Sequence, residues 1–195
     1  MLALEELLER SAAHHHHICP RQVLGVRIGM CAAAVLGLDL PQKGKRLYAF
    51  VETDGCTVDG ISASTGCYVG RRTMQIQDFG KIAATFVDTE TGRAVRIWPH
   101  PQARQAAAEY QRCGLDRWHA YLEAYKELPA AGLLKFQEVT LNVSMQAIIS
   151  RNAARAVCAR CGEEIFNERE VFQDGQILCR GCAGQSYFSI DPHAP

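Results

Sequence analysis

The sequence predicts a domain of mixed helices and strands, followed by a small cysteine-rich unit at the C-terminal end. The chain has 195 residues, of which 48% are hydrophobic, so it has room for one main domain with a buried core and a small second one. Helical and strand-like patterns alternate over the first 150 residues, and from residue 151 the composition shifts. We therefore expect a core domain at 1–150 and a separate unit at 151–195.

Three long segments are predicted to be helical. Leu2–Ala12 spaces its leucines for one helical face. Gly25–Leu36 is a second predicted helix, with Pro20 near its start and Gly37 at its end. The third segment, Gln102–Leu128, is helical in composition, and Gly114 is expected to break or kink it.

Strands are predicted where short runs of apolar, β-branched and aromatic residues lie between turn signals. The predicted strands are Arg46–Glu52, a segment that starts at Met74, Ile82–Val87, Ala94–Trp98 and Phe136–Val143. The third and fourth strands are joined by a turn at Thr91–Gly92, so we expect them to form a β-hairpin.

Charge and hydropathy argue against several classes of partner. The 21 basic residues balance 21 acidic ones, whereas binding to nucleic acid or to a membrane surface usually requires an excess of Lys and Arg. No run reaches the roughly 20 apolar residues that span a bilayer. The N-terminal segment carries Glu5, Glu6 and Glu9, unlike a secretory signal peptide. We expect a cytoplasmic protein with neither a membrane nor a nucleic-acid partner.

Four of the nine cysteines form two C-x-x-C pairs, Cys158 with Cys161 and Cys179 with Cys182. Seventeen residues separate the pairs, a spacing typical of structural zinc sites, and a predicted hairpin turns at Asp174–Gly175 between them. A redox dithiol pair or an iron–sulfur cluster would not need this hairpin. Because four thiolates complete the coordination of zinc, we expect a structural site that does not catalyse.

Three segments of the core domain combine soft metal ligands with acidic residues. They are "HHHICP" from His15, "ETDGCTVD" from Glu52 and "TGCYVG" from Thr65. Cys56 follows a predicted strand at a predicted helix start, where the helix dipole and free amides favour a thiolate. A thiolate with imidazoles suits a transition metal, and three protein ligands with one open position are the arrangement of catalytic zinc.

Each of these residues also has a plainer interpretation. In an extended segment His15 and His17 point the same way, which suits a metal, but a bare histidine run is otherwise typical of a solvated surface. Cys56 taken alone would be a small buried hydrophobic residue. Asp59, one helical turn after Cys56, would orient a ligand, act as a base, or simply lie on the helix surface.

Four segments, taken in order, resemble the FmdE family, named after a component of formylmethanofuran dehydrogenase. They are "HHHICP…GVRIG", "VETDGCTVDGISASTGCYVG", "DFGKIAATF" and "TGRAVRI", and together they cover about Ala13 to Trp98. The family pattern is an HxHxCPG opening, an ETDxCxxDxIxxxTGCTxG block, a GK-x-A-x-TF strand and a TGKxVR strand. Some members carry a tail with two C-x-x-C pairs, as this chain does.

The resemblance implies an α+β fold, with an FmdE-like core of helices packed on a mainly antiparallel sheet and a treble-clef-like zinc finger at the C-terminus. It also implies a homodimer and a metal or active-site cluster in the core. The matching positions are His15, His17, Cys19, Cys56, Asp59, Thr65, Gly66, Cys67 and Lys81. Two departures from the pattern are Arg21 in place of glycine and the pair Tyr68 and Arg71, which we expect to reshape the pocket for a different ligand, such as an anion.

Three hypotheses of function follow. The first is a metal-binding accessory protein that handles metal or cofactor for a molybdenum- or tungsten-type metalloenzyme. It would hold zinc in the finger and a second transition metal, Zn or Fe, at a core site. The candidate ligands of the core site are His15, His17, Cys19, Cys56 and Cys67. The second is an enzyme in which Cys56 or a metal-bound water acts on a small substrate with Asp59 or a histidine as base. The third is a metal-sensing regulator that acts through its finger. The finger is in any case a candidate surface for a protein partner.

Overall fold

The chain divides into two compact units, Met1–Asn142 and Val143–Pro195. The structure, a computed structural model, describes residues 2–13, 17–149 and 154–189. The boundary predicted after residue 150 falls within the second of these units. No helix in the described ranges is both long enough and apolar enough to cross a membrane.

The sheet of the first unit has five strands in the order β2-β1-β3-β4-β5. β1 and β2 run parallel, and the other neighbouring pairs are antiparallel. The strands are β1 (Leu47–Val51), β2 (Met74–Ile76), β3 (Ala84–Asp88), β4 (Ala94–Pro99) and β5 (Leu134–Glu138). The predicted α+β fold with a mainly antiparallel sheet is therefore confirmed.

The first unit has six helices in its described residues. They are α1 (Leu4–Ala12), α2 (Pro20–Leu36), α3 (Cys56–Thr65), α4 (Ala103–Glu109), α5 (Arg117–Glu127) and α6 (Ala130–Leu133). The predicted helix at Gln102–Leu128 is two helices, since a short 3₁₀ turn follows α4 and Gly114 then takes the left-handed conformation with φ of 87°. Asp116 caps α5 by accepting hydrogen bonds from the N–H groups of Trp118 and His119.

α2 begins at Pro20, five residues before its predicted start at Gly25. Cys19 is the N-cap residue: its sulfur accepts a hydrogen bond from the Gln22 N–H at 3.4 Å, and the Gln22 side chain accepts one from the Cys19 N–H at 2.8 Å. This is a reciprocal capping box, and Pro20 suits the first helical position because its missing N–H would have no helical partner. The cap fixes the orientation of the Cys19 side chain.

α2 and α3 lie side by side and run in the same direction, and both carry glycine where they touch. A Cβ added to Gly25 would lie 2.3 Å from the Thr57 oxygen, and one added to Gly60 would lie 2.3 Å from the Gln22 oxygen. The close approach brings the first turns of the two helices together. The residues at the two helix starts, Cys19 and Cys56, are therefore neighbours.

The core of the first unit lies where α2 packs against β3 and β4 and where α1 and α3 pack on α2. Its largest fully buried side chains include Leu7, Ile28, Ile61, Phe86 and Ile97. β5 contributes little to this core. Its last four residues are exposed, so the alternating burial expected for Phe136–Val143 is not observed.

The second unit consists, in its described residues, of one short helix and two small hairpins. Its elements are α7 (Met145–Ile149), β6 (Arg155–Val157), β7 (Glu164–Phe166), β8 (Val171–Gln173) and β9 (Gln176–Leu178), followed by a wide helical turn at Gly181–Gln185. β6 pairs with β7 and β8 with β9. The β8–β9 turn is at Asp174 and Gly175, both with positive φ, as the sequence predicts.

Candidate functional site

The four cysteines of the second unit converge on one point. The sulfur atoms of Cys158, Cys161, Cys179 and Cys182 all lie within 4.8 Å of one another, and those of Cys161 and Cys179 are 4.0 Å apart. Zinc binds thiolates at about 2.3 Å, which places the sulfurs of a tetrahedral site about 3.8 Å apart. The donor set and its spacing therefore fit zinc.

Backbone amides stabilise the ionised form of one thiol in this cluster, which is the form that binds a cation. Hydrogen bonds from the amides of Cys161 and Cys179 lower the pKa of Cys158 to about 6, so this thiol ionises first. The side-chain contact with Cys179 raises the pKa of Cys182 to about 12, with smaller contributions from burial, from the other finger cysteines and from repulsion by the Cys158 thiolate. A divalent cation relieves that repulsion, so we expect zinc binding to release protons and to weaken in acid.

A second pair of thiols lies in the first unit, where the two helix starts meet. Cys19 and Cys56 line the same pocket and lie close enough for the Cys19 thiol to raise the pKa of Cys56. Cys19 is buried and Cys56 is half-buried. Two adjacent thiols are a soft, bidentate ligand set for a metal.

The Cys56 thiol is not activated as the sequence suggested. Burial raises the pKa of Cys56, and the hydrogen bond and charge of Cys19 raise it further, followed by a smaller effect of the Asp59 carboxylate. A backbone amide at the start of α3 acts in the opposite direction but does not prevail. The expected thiolate at the helix start is therefore replaced by a thiol that ionises less readily than an ordinary cysteine.

The thiol pair opens into a pocket of about 360 Å³. One wall comes from the start of α2 and the opposite wall from aromatic side chains of α5. The lining residues are Cys19, Pro20, Arg21, Leu24, Cys56, Ile82, Arg104, Trp118, Tyr121 and Tyr125. Tyr121 and Tyr125 stack with their ring centres 5.8 Å apart and their planes almost parallel.

A second pocket of about 450 Å³ adjoins the first. Leu24, Ile82, Arg104 and Tyr125 line both, so the two form one cleft, which we call the thiol cleft. The second pocket is also lined by Lys81, Ala83, Arg96, Trp98, Pro99, His100, Pro101 and Ala103. Glu52 holds Arg96 through two contacts of 2.6 Å, and the Arg96 guanidinium lies over the Trp98 ring.

Residues 14–142 match the model of a family described as "FmdE, Molybdenum formylmethanofuran dehydrogenase operon". The chain belongs to the FmdE family. Residues 153–188 match a second family model, the prokaryotic dksA/traR C4-type zinc finger. The predicted FmdE core with an added four-cysteine finger is thus confirmed, and the finger match agrees with the structural zinc that its four cysteines fit.

A curated relative and a solved structure are similar to nearly the whole chain. A probable S-adenosyl-L-methionine-binding protein of Archaeoglobus fulgidus is 28% identical over 205 residues, which cover 96% of this chain but only 55% of that protein. The chain thus spans about half the length of this relative. The crystal structure of a protein from Syntrophus aciditrophicus, described as similar to the FmdE subunit of tungsten formylmethanofuran dehydrogenase, has a TM-score of 0.63 at 20% identity, and 96% of each chain is covered. That likeness shows the fold.

The FmdE motif positions are divided between two places in the first unit. Cys19 and Cys56 meet in the thiol cleft, and Lys81 lines its second pocket. Cys67 lies two residues beyond the opposite end of α3, a helix that extends roughly 14 Å from Cys56 to Thr65 at about 1.5 Å per residue. There it is buried in the core, and its thiol donates to the Leu47 carbonyl at 3.4 Å. The structure thus does not bring Cys67 to the other candidate core ligands.

The remaining candidates are placed less centrally. His15 lies outside the described residues, and His17 is exposed and is not among the described residues that line the cleft. Asp59 is half-buried in the first turn of α3, where its charge acts on Cys56. Within the described residues, the finger cysteines are the one group of three or more potential ligands whose donor atoms converge.

Several residues of the thiol cleft were not recognised as site residues from the sequence. Trp118, Tyr121 and Tyr125 have the spacing of packing residues on a helix, yet they line the cleft. Arg104 has no motif around it. One available signal was Cys-Pro-x-Gln at Cys19–Gln22, which predicts a helix cap and thereby a fixed thiol. Of the departures from the family pattern, Arg21 lines the cleft, whereas Arg71 binds the carbonyls of Gly66, Lys43 and Gly44 elsewhere.

Proposed function

We propose that this FmdE protein binds a second transition metal, zinc or iron, on Cys19 and Cys56 and handles metal or a metal-bound cofactor for a molybdenum- or tungsten-type metalloenzyme. The observation that carries the proposal is that these two thiols line the same open cleft, near enough for one to affect the ionisation of the other. Two protein sulfurs leave coordination positions for further ligands, as transfer of a metal or cofactor requires.

The histidine run is the proposed source of a further ligand. The candidate ligands His15 and His17 lie four and two residues before Cys19 in the sequence, and imidazole with thiolate suits zinc and iron alike. Binding of a cation would also lower the pKa of Cys56, because it offsets the burial and negative charge that now raise it. Without such a cation the raised pKa keeps Cys56 in its thiol form, which is a poor nucleophile.

The proposal includes partners for each unit. We infer a homodimer of the core, in keeping with the FmdE resemblance, and a protein contact through the finger. In the finger, the side chains of Phe172 and Tyr187 are 74% and 97% exposed, and aromatic side chains are enriched in protein interfaces. A soluble location in the cytoplasm, where thiols stay reduced, is part of the same proposal.

A second candidate function is binding of S-adenosyl-L-methionine. The relative from Archaeoglobus fulgidus carries that description, and 96% of this chain aligns with it. The aromatic side chains of Trp118 and Tyr121 offer ring faces that suit an adenine base or a sulfonium group. Calorimetric titration with S-adenosyl-L-methionine tests this directly, and heat of binding that disappears in Trp118→Ala would support it.

The metal content of untagged protein, purified without immobilised metal, tests the leading proposal. We expect two metal ions per chain, one in the finger and one at the thiol pair. Cys56→Ser should lose the second ion and keep the first, since serine is a poor ligand for soft metals. Elemental analysis by mass spectrometry gives both counts.

Cys31→Ser is the matched control. It removes another half-buried thiol, on α2 but away from the cleft, and should leave both metal ions bound. One zinc per chain, unchanged by Cys56→Ser, would refute the core metal and leave only the finger site.

A further inference from the structure

The thiol cleft is larger than a metal ion requires. Its two pockets measure about 360 and 450 Å³, and pockets of 300–1,000 Å³ are typical of sites for small organic molecules. A metal at Cys19 and Cys56 would fill only one end. The remaining lining shows which chemistry the rest of the cleft can accept.

The charge of the lining is positive. Arg21, Lys81 and Arg104 line the cleft, and no Asp or Glu is among the described residues that do so. Arg96 is neutralised by its paired contacts with Glu52, so it does not count toward this charge. Among the described residues neither Lys81 nor Arg21 forms an ion pair. Exposed cations are usually just solvated, but three around one concave surface favour an anion.

Lys81 is held in place at the second pocket by its backbone. Its N–H donates to the Glu52 carbonyl at 3.0 Å, directly after β1, and the N–H of Phe79 donates to the same carbonyl at 2.9 Å. Arg104, in α4, lines the same pocket together with Tyr125 of α5. Two cations from different elements thus flank the second pocket, as recognition of a phosphate group requires.

The first pocket offers aromatic faces. Trp118 is 42% exposed although it is large and apolar, and it lines the pocket beside Tyr121 and Tyr125. Aromatic walls of this kind bind flat heterocyclic rings by stacking. Both tryptophans of the chain, Trp98 and Trp118, line the cleft.

We infer that the thiol cleft binds a phosphorylated heteroaromatic compound of mononucleotide size, with its ring in the Trp118 pocket and its phosphate at Lys81 and Arg104. The inference rests on the proposed function in that it assigns the organic ligand of the same site. It differs from the S-adenosyl-L-methionine candidate in the sign of the ligand charge, since a positive lining disfavours a sulfonium cation.

Titration of the full-length zinc-loaded protein with adenosine 5′-monophosphate (AMP), adenosine and inorganic phosphate tests this inference. Calorimetry and tryptophan fluorescence both report binding. We expect a submillimolar Kd for AMP and at least tenfold weaker binding of adenosine and of phosphate, because each lacks one of the two recognised groups. A parallel titration with flavin mononucleotide shows whether the cleft prefers a simple nucleotide or a phosphorylated cofactor as its ligand.

Three variants test which side chains bind the phosphate group of the ligand and which bind its ring. Lys81→Gln and Arg104→Gln should each weaken AMP binding about tenfold and leave adenosine binding unchanged. Trp118→Ala should weaken both AMP and adenosine. Lys45→Gln is the matched control, because it removes the same charge from an exposed lysine at the opposite end of β1. Circular dichroism confirms that each variant is folded.

Three outcomes would overturn the inference. They are no binding of either AMP or flavin mononucleotide, equal affinity for AMP and adenosine, and AMP affinity unchanged in both Lys81→Gln and Arg104→Gln. Tighter binding of S-adenosyl-L-methionine than of AMP would likewise contradict the anionic ligand. The metal count of Cys56→Ser does not enter these titrations, so failure of the ligand site and failure of the core metal are distinguishable.

Discussion

At the scale of single residues, Gln22 does most to define the thiol pair. Its side chain is fully buried, accepts from the Cys19 N–H, and donates to the carbonyl and hydroxyl oxygens of Ser11 at 3.2 and 3.1 Å. One amide thus ties α1 to the start of α2 and fixes the backbone that carries Cys19. Buried polar groups stay in place only when satisfied in this way.

Replacing Gln22 by leucine should therefore destabilise the first unit. The Cys19 N–H and the Ser11 hydroxyl would lose their buried partner, and each unsatisfied group costs about 1–3 kcal/mol. We expect the free energy of unfolding in urea to fall by roughly 2–4 kcal/mol. Gln105→Leu, at an exposed position of α4, is the control and should change it by less than about 0.5 kcal/mol. An equal effect of the two substitutions would contradict the role of Gln22.

Individual ligands were only partly predictable from the sequence. The motif indicated Cys19, Cys56 and Cys67 alike, and the structure brings together only the first two. Distance along α3 separates Cys67 from them, which follows once the helix is known to extend from Cys56 to Thr65. The direction of the Cys56 pKa was not predictable, because it depends on burial and on a neighbour distant in sequence.

At the scale of secondary-structure elements, the site depends on how closely α2 approaches α3. The two helices touch through backbone at Gly25 and Gly60, where a side chain would collide with main-chain oxygen atoms. Small residues at such a crossing let helix axes come closer than usual. The neighbouring positions of Cys19 and Cys56 are a consequence of this contact.

Gly60→Ala should force the helices apart. The new Cβ would lie 2.3 Å from the Gln22 oxygen and 2.8 Å from the Val26 nitrogen, so backbone must move. We expect a loss of about 1–3 kcal/mol in the free energy of unfolding, as is typical of overpacking, and weaker retention of the core metal. Thermal unfolding and elemental analysis measure the two effects.

Gly132→Ala is the matched control for this substitution. Nothing lies within 4 Å of a Cβ at that position in α6, and alanine favours helix. It should leave stability equal or higher and the metal content unchanged. If Gly60→Ala behaved in the same way, the close approach of α2 and α3 would not define the site.

Most elements were predictable from the sequence, but their ends were less so. The predicted bounds of α1, of β1 and of the two strands of the β3–β4 hairpin agree with the structure to within a few residues. α2 starts five residues early because of a cap that pattern alone does not weigh. The sequence predicts that β5 starts at Phe136 and is half-buried, but the strand starts two residues earlier, at Leu134. Four of its five residues are exposed, because a strand at the edge of a sheet need not cover the core.

At the scale of the whole molecule, the chain has two compact units: a finger whose four cysteines fit zinc, and a core in which we propose a second metal site. Among its described residues the finger has a hydrophobic cluster of only three buried members, Cys158, Ile165 and Leu178, so its fold depends on the zinc that its cysteines fit. The FmdE core, by contrast, has an extensive buried apolar cluster of its own, so we expect it to fold without a metal. A metal at its thiol pair would thus serve function, not stability.

The division into an FmdE core and a finger was predictable, because both carry specific motifs with fixed spacing. The thiol cleft was not, since it collects Arg21, Lys81, Arg104 and Trp118 from four separate parts of the chain. α5 packs against α2 and α4 packs against α5, which brings Arg104 and Trp118 to the pocket that Arg21 lines. Arg27 secures that packing by donating to the carbonyls of Tyr125, Lys126 and Leu128 at the end of α5.

A metal-edge anomalous diffraction map of untagged protein locates every bound metal ion at once. We expect two peaks per chain, one within bonding distance of the four finger sulfurs and one at the sulfurs of Cys19 and Cys56. The absorption edges also identify each element. A peak at the finger alone, with the Cys19 and Cys56 sulfurs in contact only with each other, would contradict this expectation.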